Sequence, residues 1–327
     1  MSKPIILSGM QPTGSLHIGN YLGALKNWVE LQNSGQYELF FFVADLHSLT
    51  IDMKPETRRK NIRLLAAEYI ASGLDPKKVT LFVQSHIPEH TELTWIFSTV
   101  TPVTELFRMI QFKDKSEHNA KNINAGLLTY PALQAADVLL YHGALVPVGQ
   151  DQVQHLEMTR DCARWFNNRY GHYFPETKPL LTQFPKIMSL LEPTKKMSKS
   201  AGESHYIGMA DEPKIIAAKL KKAVTATAGG GQAPGAANLL ALLKQFGDKK
   251  MYTEFTAAEK NGSIRYGDLK AELASAIGNY FAGFRARRAE LLANPKKLDA
   301  ILEDGAERAR GVAKKTMADV RKLVGLR

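Results

Sequence analysis

The stretch Ile5-Ile6-Leu7-Ser8-Gly9-Met10-Gln11-Pro12-Thr13-Gly14-Ser15-Leu16-His17-Ile18-Gly19-Asn20 decides the fold. Residues 5–8 read as a short buried strand, 9–14 as a glycine-rich turn, and 18–31 as an amphipathic helix. The same order recurs along the first half of the chain. Strands are expected at 39–44, 79–83 and 144–148, and helices at 55–72, 89–100 and 152–170. Strand–helix alternation predicts an α/β fold with a doubly wound parallel sheet, a Rossmann-like nucleotide-binding domain. A last strand is expected at 180–188. From Asp211 the pattern turns helical, with helices at 212–226, 236–246, 269–292 and 295–324, and Gly229-Gly230-Gly231 forming a loop between the first two. The expected division is a catalytic domain over 1–210 and a helical domain over 211–327, whose last helices can pack back on the first.

Composition bounds the class. A chain of 327 residues, 44% hydrophobic and 23% charged, has the balance of a soluble globular protein with a large core. The single Cys162 forms no internal disulfide and no cysteine zinc site, which fits a reducing, cytoplasmic setting. No run approaches the ~20 apolar residues of a membrane span. The net charge of +11 points to a polyanionic partner, the bland alternative being solubility. Residues 285–327 carry twelve Lys or Arg against six Asp or Glu, more than half of that excess.

Two segments carry phosphate chemistry in their residue types. In residues 9–20, glycines allow close backbone approach, and helix-start amides favour an anion. His17 and Asn20 lie three apart on one helical face, where both can donate to phosphate oxygens. A glycine turn with a capped helix explains the same residues equally well. The spacing is neither a Walker loop nor GxGxxG. Far downstream, Lys196-Met197-Ser198-Lys199-Ser200 places two lysines on a hydroxyl-rich loop. They suit a reaction that expels pyrophosphate, although a charge run is most often a solvated turn.

Together, His17-Ile18-Gly19-Asn20 and Lys196-Met197-Ser198-Lys199-Ser200 resemble the paired signatures of class I aminoacyl-tRNA synthetases. The Gln11-Pro12-Thr13-Gly14 opening and the Ala135-Ala136-Asp137 segment resemble the bacterial tryptophanyl branch, and the likeness runs from residue 5 to the C-terminus, weaker after Ala201. The resemblance implies activation of L-tryptophan by ATP to tryptophanyl-adenylate and pyrophosphate, then transfer to the terminal ribose of tRNA(Trp). It implies catalytic roles for His17, Asn20, Lys115, Lys196 and Lys199. ATP would be held by Gln11, Gly19, Asn20, Gly149, Asp151, Ile187, Met188, Lys196, Ser198 and Lys199. Tryptophan would meet Leu7, Gly9, Gln11, His47, Tyr130, Asp137, Val146, Val148 and Gln152, with Asp137 accepting the indole N–H. Mg2+ would ride on the ATP phosphates, with no protein metal site and no zinc. The basic C-terminal helices would bind the anticodon arm, and a homodimer would form through helices near 88–111, where Trp95, Ile96, Phe97, Leu106 and Phe107 lie. The run Ala201-Gly202-Glu203-Ser204-His205 departs from the family pattern after the lysine loop. Tyrosyl-tRNA synthetases are the nearest rival; small-molecule adenylyltransferases and a non-catalytic RNA-binding paralogue are more distant ones.

Overall fold

The computed structural model describes residues 3–109, 124–149, 153–181, 187–225 and 234–326. It divides into two compact units that are not continuous in sequence. The first is Met1–Gly14, Asn27–Thr182 and Leu291–Arg327; the second is Ser15–Lys26 and Gln183–Glu290. These limits are not those of a division at residue 210, because the chain end belongs with the sheet and the His17 segment with the helices.

The first unit is built on five parallel strands: β1 (Ile5–Met10), β2 (Glu38–Val43), β3 (Thr80–Val83), β4 (Leu145–Val148) and β5 (Lys178–Leu181), in the order β3-β2-β1-β4-β5. The order reverses direction at β1 and β4, which makes their C-terminal ends the switch point where such sheets place ligands. The strands are apolar on both faces, as expected where helices cover both sides: Leu39, Phe40, Phe41, Phe42 and Val43 of β2 are all buried. Trp28 stacks on Phe41 with ring centroids 4.5 Å apart. β5 begins two residues before the last expected strand, residues 182–186 lie outside the described residues, and Ile187 and Met188 lie in a segment in which Met188 bridges Lys196.

The helices in chain order begin with α1 (Ile18–Asn20), which passes through a π-turn at Tyr21–Leu25 into α2 (Lys26–Ser34). The expected single helix over 18–31 is therefore interrupted by a wide turn, a feature that often marks functional sites. Next come α3 (Pro55–Ala71), α4 (Glu89–Ser98), α5 (Val103–Phe107), α6 (Ala125–Leu139) and α7 (Val153–Tyr170). They are followed by α8 (Pro213–Lys222), α9 (Pro234–Phe246), α10 (Lys249–Lys260), α11 (Tyr266–Tyr280), α12 (Ala282–Ala293) and α13 (Pro295–Leu323). Helix α10 is not among the helices expected from the sequence; Asp248 caps it by accepting from the Met251 amide at 2.8 Å, and none of its residues is buried.

The expected helix over 269–292 is two helices, α11 and α12. Phe281 leaves helical geometry between them, with φ −93° and ψ 10°. Its buried ring meets Tyr21, Phe246, Tyr280 and Phe284, so aromatic packing in the second unit overrides a continuous helical pattern.

Helix α13 closes the first unit by packing on β3. Leu298, Leu302, Ala306, Ala309, Ala313, Met317 and Val320 form its buried stripe at alternating three- and four-residue spacing. A Cβ on Gly305 would fall 1.8 Å from the carbonyl oxygen of Leu81, so glycine is what permits the helix to lie against the strand. No described helix is long and apolar enough to cross a membrane. Cys162 is buried and burial pushes its thiol pKa up to about 12, in line with a packing role.

Candidate active site

In the first unit, the C-terminal end of the sheet carries a buried carboxylate held by three donors. Asp137 lies on α6, 2% exposed. Its Oδ1 accepts from Gln84 Nε2 and His90 Nδ1, both at 2.7 Å, and its Oδ2 from His47 Nε2 at 2.7 Å. These partners come from the segments that follow two strands, β2 and β3. His47 opens a short helical turn after β2, Gln84 follows β3, and His90 sits at the start of α4. Burial alone would push the Asp137 carboxyl up. The charge of His47 and the hydrogen bonds from His47 and His90 outweigh it and hold the group below the usual carboxylate range.

Other residues expected around tryptophan lie in the same unit. Leu7 is buried on β1, and Val146 and Val148 are buried on β4. Tyr130, one α6 position before Pro131, packs its ring edge-on against His47 with centroids 6.4 Å apart. Gly9 pairs with Phe42 in the β1–β2 register, Gln11 follows β1 half-buried, and Gly149 follows β4. The end of β1 is fixed from below. Tyr69 of α3 accepts from the Met10 amide at 2.9 Å and donates to the Phe42 carbonyl at 3.3 Å. Lys115, Asp151 and Gln152 lie outside the described residues.

In the second unit, the two signature segments meet. His17 caps α1 with a capping box: its Nδ1 accepts from the Gly19 amide at 3.1 Å, and Asn20 Oδ1 accepts from the His17 amide at 3.1 Å. The cap reading is therefore what the structure shows, and it leaves donors over. With Nδ1 accepting, the ring proton sits on Nε2, and the Asn20 amide NH2 is not used by the cap. Burial, with Lys199 and Lys196 nearby, pulls the His17 pKa down to about 4, so the ring is a neutral donor at physiological pH. A Cβ on Gly19 would stand 2.9 Å from that ring, and only glycine leaves the room.

The residues after the lysine loop hold this arrangement together. Ile18 donates to Ile207 at 3.0 Å and Met209 to Leu16 at 3.0 Å, joining 16–18 to 207–209 as a short bridge. Within the loop, Met197 donates to Ile187 and Ser189 to Lys195, so Ile187 and Met188 run beside the lysines. Met197 is buried, Lys196 is exposed, and Lys199 Nζ reaches the Ser15 carbonyl at 3.2 Å. Ser198 caps a turn at Lys199–Ala201 by accepting from Ser200. The atypical run that follows is anchored: His205 bonds Ser189 Oγ through Nδ1 at 3.0 Å, and its carbonyl accepts from Leu190 at 3.1 Å. The structure thus brings His17, Gly19, Asn20, Ile187, Met188, Lys196, Ser198 and Lys199 into one unit, and Leu7, Gly9, Gln11, His47, Tyr130, Asp137, Val146, Val148 and Gly149 into the other.

Gln84, His90 and Tyr141 are the members that the sequence did not offer. Gln84 and His90 lie in the mixed run 84–92 and Tyr141 at the end of an apolar run, with no spacing that links any of them to Asp137. Among the described residues, no group of three or more His, Cys, Asp or Glu is arranged to hold a metal ion.

Several of the basic residues near the C-terminus are engaged within their own units. Arg285 donates to the carbonyls of Gly278 and Asp211, Arg288 to Ser15 Oγ, Arg308 to the carbonyls of Pro76 and Val79, Arg310 to Glu303 and the His86 carbonyl, and Arg321 to Glu92. Arg287, Lys296, Lys314, Lys315 and Lys322 are exposed. Among the apolar residues of 88–111, Trp95 and Phe107 are exposed at 72% and 51%, whereas Ile96, Phe97 and Leu106 belong to the core.

The chain is similar to known proteins over nearly its whole length. The family described as tRNA synthetases class I (W and Y) matches residues 1–282. Tryptophan–tRNA ligase 2 of Streptomyces avermitilis is 45% identical over 99% of this chain and 97% of its own length, and tryptophan–tRNA ligase of Enterococcus faecalis is 45% identical over 98% and 97%. The crystal structure of tryptophanyl-tRNA synthetase from Campylobacter jejuni complexed with ADP and tryptophan superposes with a TM-score of 0.86 at 33% identity, covering 98% of this chain and 99% of that one. The chain belongs to the class I tRNA synthetases of the tryptophan and tyrosine group, in the branch of the bacterial tryptophan–tRNA ligases.

Proposed function

We propose that the groups described above divide the work of one reaction, the ATP-dependent attachment of L-tryptophan to tRNA(Trp). In the first step a tryptophan carboxylate oxygen attacks the α-phosphorus of ATP, and the bond to the bridging oxygen breaks, releasing pyrophosphate. In the second, a hydroxyl of the terminal ribose attacks the acyl carbon and AMP leaves. Neither step needs a covalent enzyme intermediate, so the protein acts by positioning and by stabilising charge.

In this reading Lys196 and Lys199 neutralise the leaving pyrophosphate, with Lys115 as a third cation. His17 donates through Nε2–H and Asn20 through its amide to the phosphate oxygens. Gln11, Gly19, Gly149, Asp151, Ile187, Met188 and Ser198 hold the nucleotide. Mg2+ would be carried by the ATP phosphates and would add further charge neutralisation there. Asp137 reads the indole. Its Oδ1 has both lone pairs in use, but Oδ2 has one partner and keeps one acceptor position for the indole N–H. Leu7, Gly9, His47, Tyr130, Val146 and Val148 form the wall, and Gln11 and Gln152 hold the charged ends.

The observation that supports this most is the meeting of the two signature segments within one compact unit, with the Lys199 ammonium on the Ser15 carbonyl and both lysines acting on His17. The exposed Arg287, Lys296, Lys314, Lys315 and Lys322 are candidates for tRNA phosphate contacts in a helical domain over 211–327 and its C-terminal extension, with affinity falling as salt rises. The exposed Trp95 and Phe107 are candidates for a homodimer contact. A cytoplasmic setting belongs to the same reading. The test is ATP–pyrophosphate exchange with tryptophan and tyrosine offered separately, followed by charging of tRNA. Exchange with tryptophan alone is expected; exchange with tyrosine alone would overturn the assignment of Asp137, and exchange with neither would overturn the chemistry.

A further inference from the structure

We infer that His90 is a positioning residue for tryptophan recognition: it fixes the Asp137 carboxylate in one orientation and keeps it ionised, and so sets the affinity for the indole. This rests on Asp137 being the indole acceptor. His90 itself stands behind the carboxylate and reaches the ligand only through it.

The hydrogen bonds around His90 run in one direction. Tyr141 is buried, and burial, with Asp137 and Glu89 nearby, raises its phenol pKa well above the ordinary value. Its O–H is therefore kept. The ionised Asp137 can only accept, so His90 Nδ1 carries the proton that it donates to Oδ1 at 2.7 Å. In that neutral tautomer Nε2 has no proton and accepts from the Tyr141 O–H at 2.9 Å. The second donor to Oδ1 is equally determined. Gln84 Oε1 accepts from the Leu46 amide at 3.1 Å, which turns its Nε2 towards Asp137. Two fixed donors on one oxygen lock the plane of the carboxylate and leave the open acceptor position on Oδ2, beside His47.

The His90 ring has no room to turn. It is completely buried beside the stacked Phe42 and Phe82, each with its ring centroid 6.1 Å away. The groups that face the carboxylate are His47 after β2, Gln84 after β3, His90 on α4, and Tyr141 just past α6. Glu89 of α4 and Tyr130 of α6 lie one layer further out, acting on Tyr141 and packing on His47 respectively. Removing His90 leaves the burial of Asp137 and deletes one donor that opposes it. The carboxyl then takes up a proton at higher pH, and a protonated carboxyl can turn an O–H towards the indole where an acceptor is needed. The tryptophan KM should then rise as pH falls, a dependence that the intact network suppresses.

The test is tryptophan-dependent ATP–pyrophosphate exchange between pH 5.5 and 8 on the full chain and four variants. His90→Leu is expected to raise the tryptophan KM about 10- to 100-fold, the range for a lost hydrogen bond to a charged group, with kcat and the ATP KM within a few-fold. The rise should be steeper at the acid end. His90→Asn places an amide N–H where Nδ1–H stood and should recover most of the affinity and flatten the profile. Should His90→Leu fail to fold, Tyr141→Phe retains the packing and should give a smaller, acid-dependent rise in the same direction; an unchanged KM there overturns the inference. It is also overturned if His90→Leu binds tryptophan normally while Asp137→Asn does not, or if His90→Leu and His90→Asn lose kcat and KM alike. If Asp137→Asn itself leaves the tryptophan KM unchanged, the reading of Asp137 fails and the role of His90 falls with it.

Discussion

The buried carboxylate of the first unit and the lysine loop of the second are built on opposite terms. Around Asp137 the donors converge at 2.7 Å from three separate segments, and solvent has almost no access. In the second unit Lys196 is exposed, and Lys199 is seen on a backbone carbonyl. The difference follows from what each must bind. Reading an aromatic ring by one N–H requires an acceptor whose geometry is set beforehand, because a dry site with a mispaired acceptor rejects the wrong ligand. Neutralising a pyrophosphate as it departs requires cations with reach, and long side chains on a turn supply that.

If this contrast is right, damage to the two regions should be felt differently. The largest effect is expected at the lysines. Lys196→Ala and Lys199→Ala should each slow adenylate formation about 100- to 1000-fold, as loss of one transition-state donor does, with an unchanged circular dichroism spectrum and melting temperature. Asp137→Asn should lower kcat/KM for tryptophan about 10- to 100-fold, mainly through KM, measured by pyrophosphate exchange. Tyr69→Phe tests the rigid support of the first unit. It removes a buried hydroxyl that serves both the Met10 amide and the Phe42 carbonyl, and should cost about 1–3 kcal/mol in denaturant unfolding, because the amide and carbonyl are left behind.

The smallest effect is a pH dependence at His17. Its pKa is about 4 when folded against 6.5 unfolded, so the unfolded chain takes up the proton first as pH falls. His17 therefore reduces stability progressively between pH 6.5 and 4. His17→Gln should flatten that part of the stability curve, measured as the change in melting temperature over this window relative to the unsubstituted chain.

Much of this was readable from residue order. The glycine turn from β1 into α1, the alternation of strands and helices and the two signature segments all follow from local pattern, and the chain folds accordingly. What local pattern missed was set by tertiary packing. Phe281 breaks a continuous apolar periodicity because its ring is claimed by Tyr21, Phe246 and Phe284. α13 returns to β3 because Gly305 lets it, and a lone glycine in a long helix gives no hint of the strand that it faces. At the candidate site, Asp137 stood out as an acid in an apolar segment, while Gln84 and His90 did not, since their partner lies 53 and 47 residues away in the chain. The run 201–205 departs in sequence from the family pattern, and nothing in the residue order signals that His205 ties it to Ser189 and Leu190.

The division of labour is tested most directly by single-turnover adenylate formation, with the tryptophan concentration varied, on Lys199→Ala and Asp137→Asn side by side. The account predicts that Lys199→Ala lowers the limiting rate and leaves the half-saturating tryptophan concentration near its usual value, whereas Asp137→Asn does the reverse. Loss of the same parameter in both variants would contradict it.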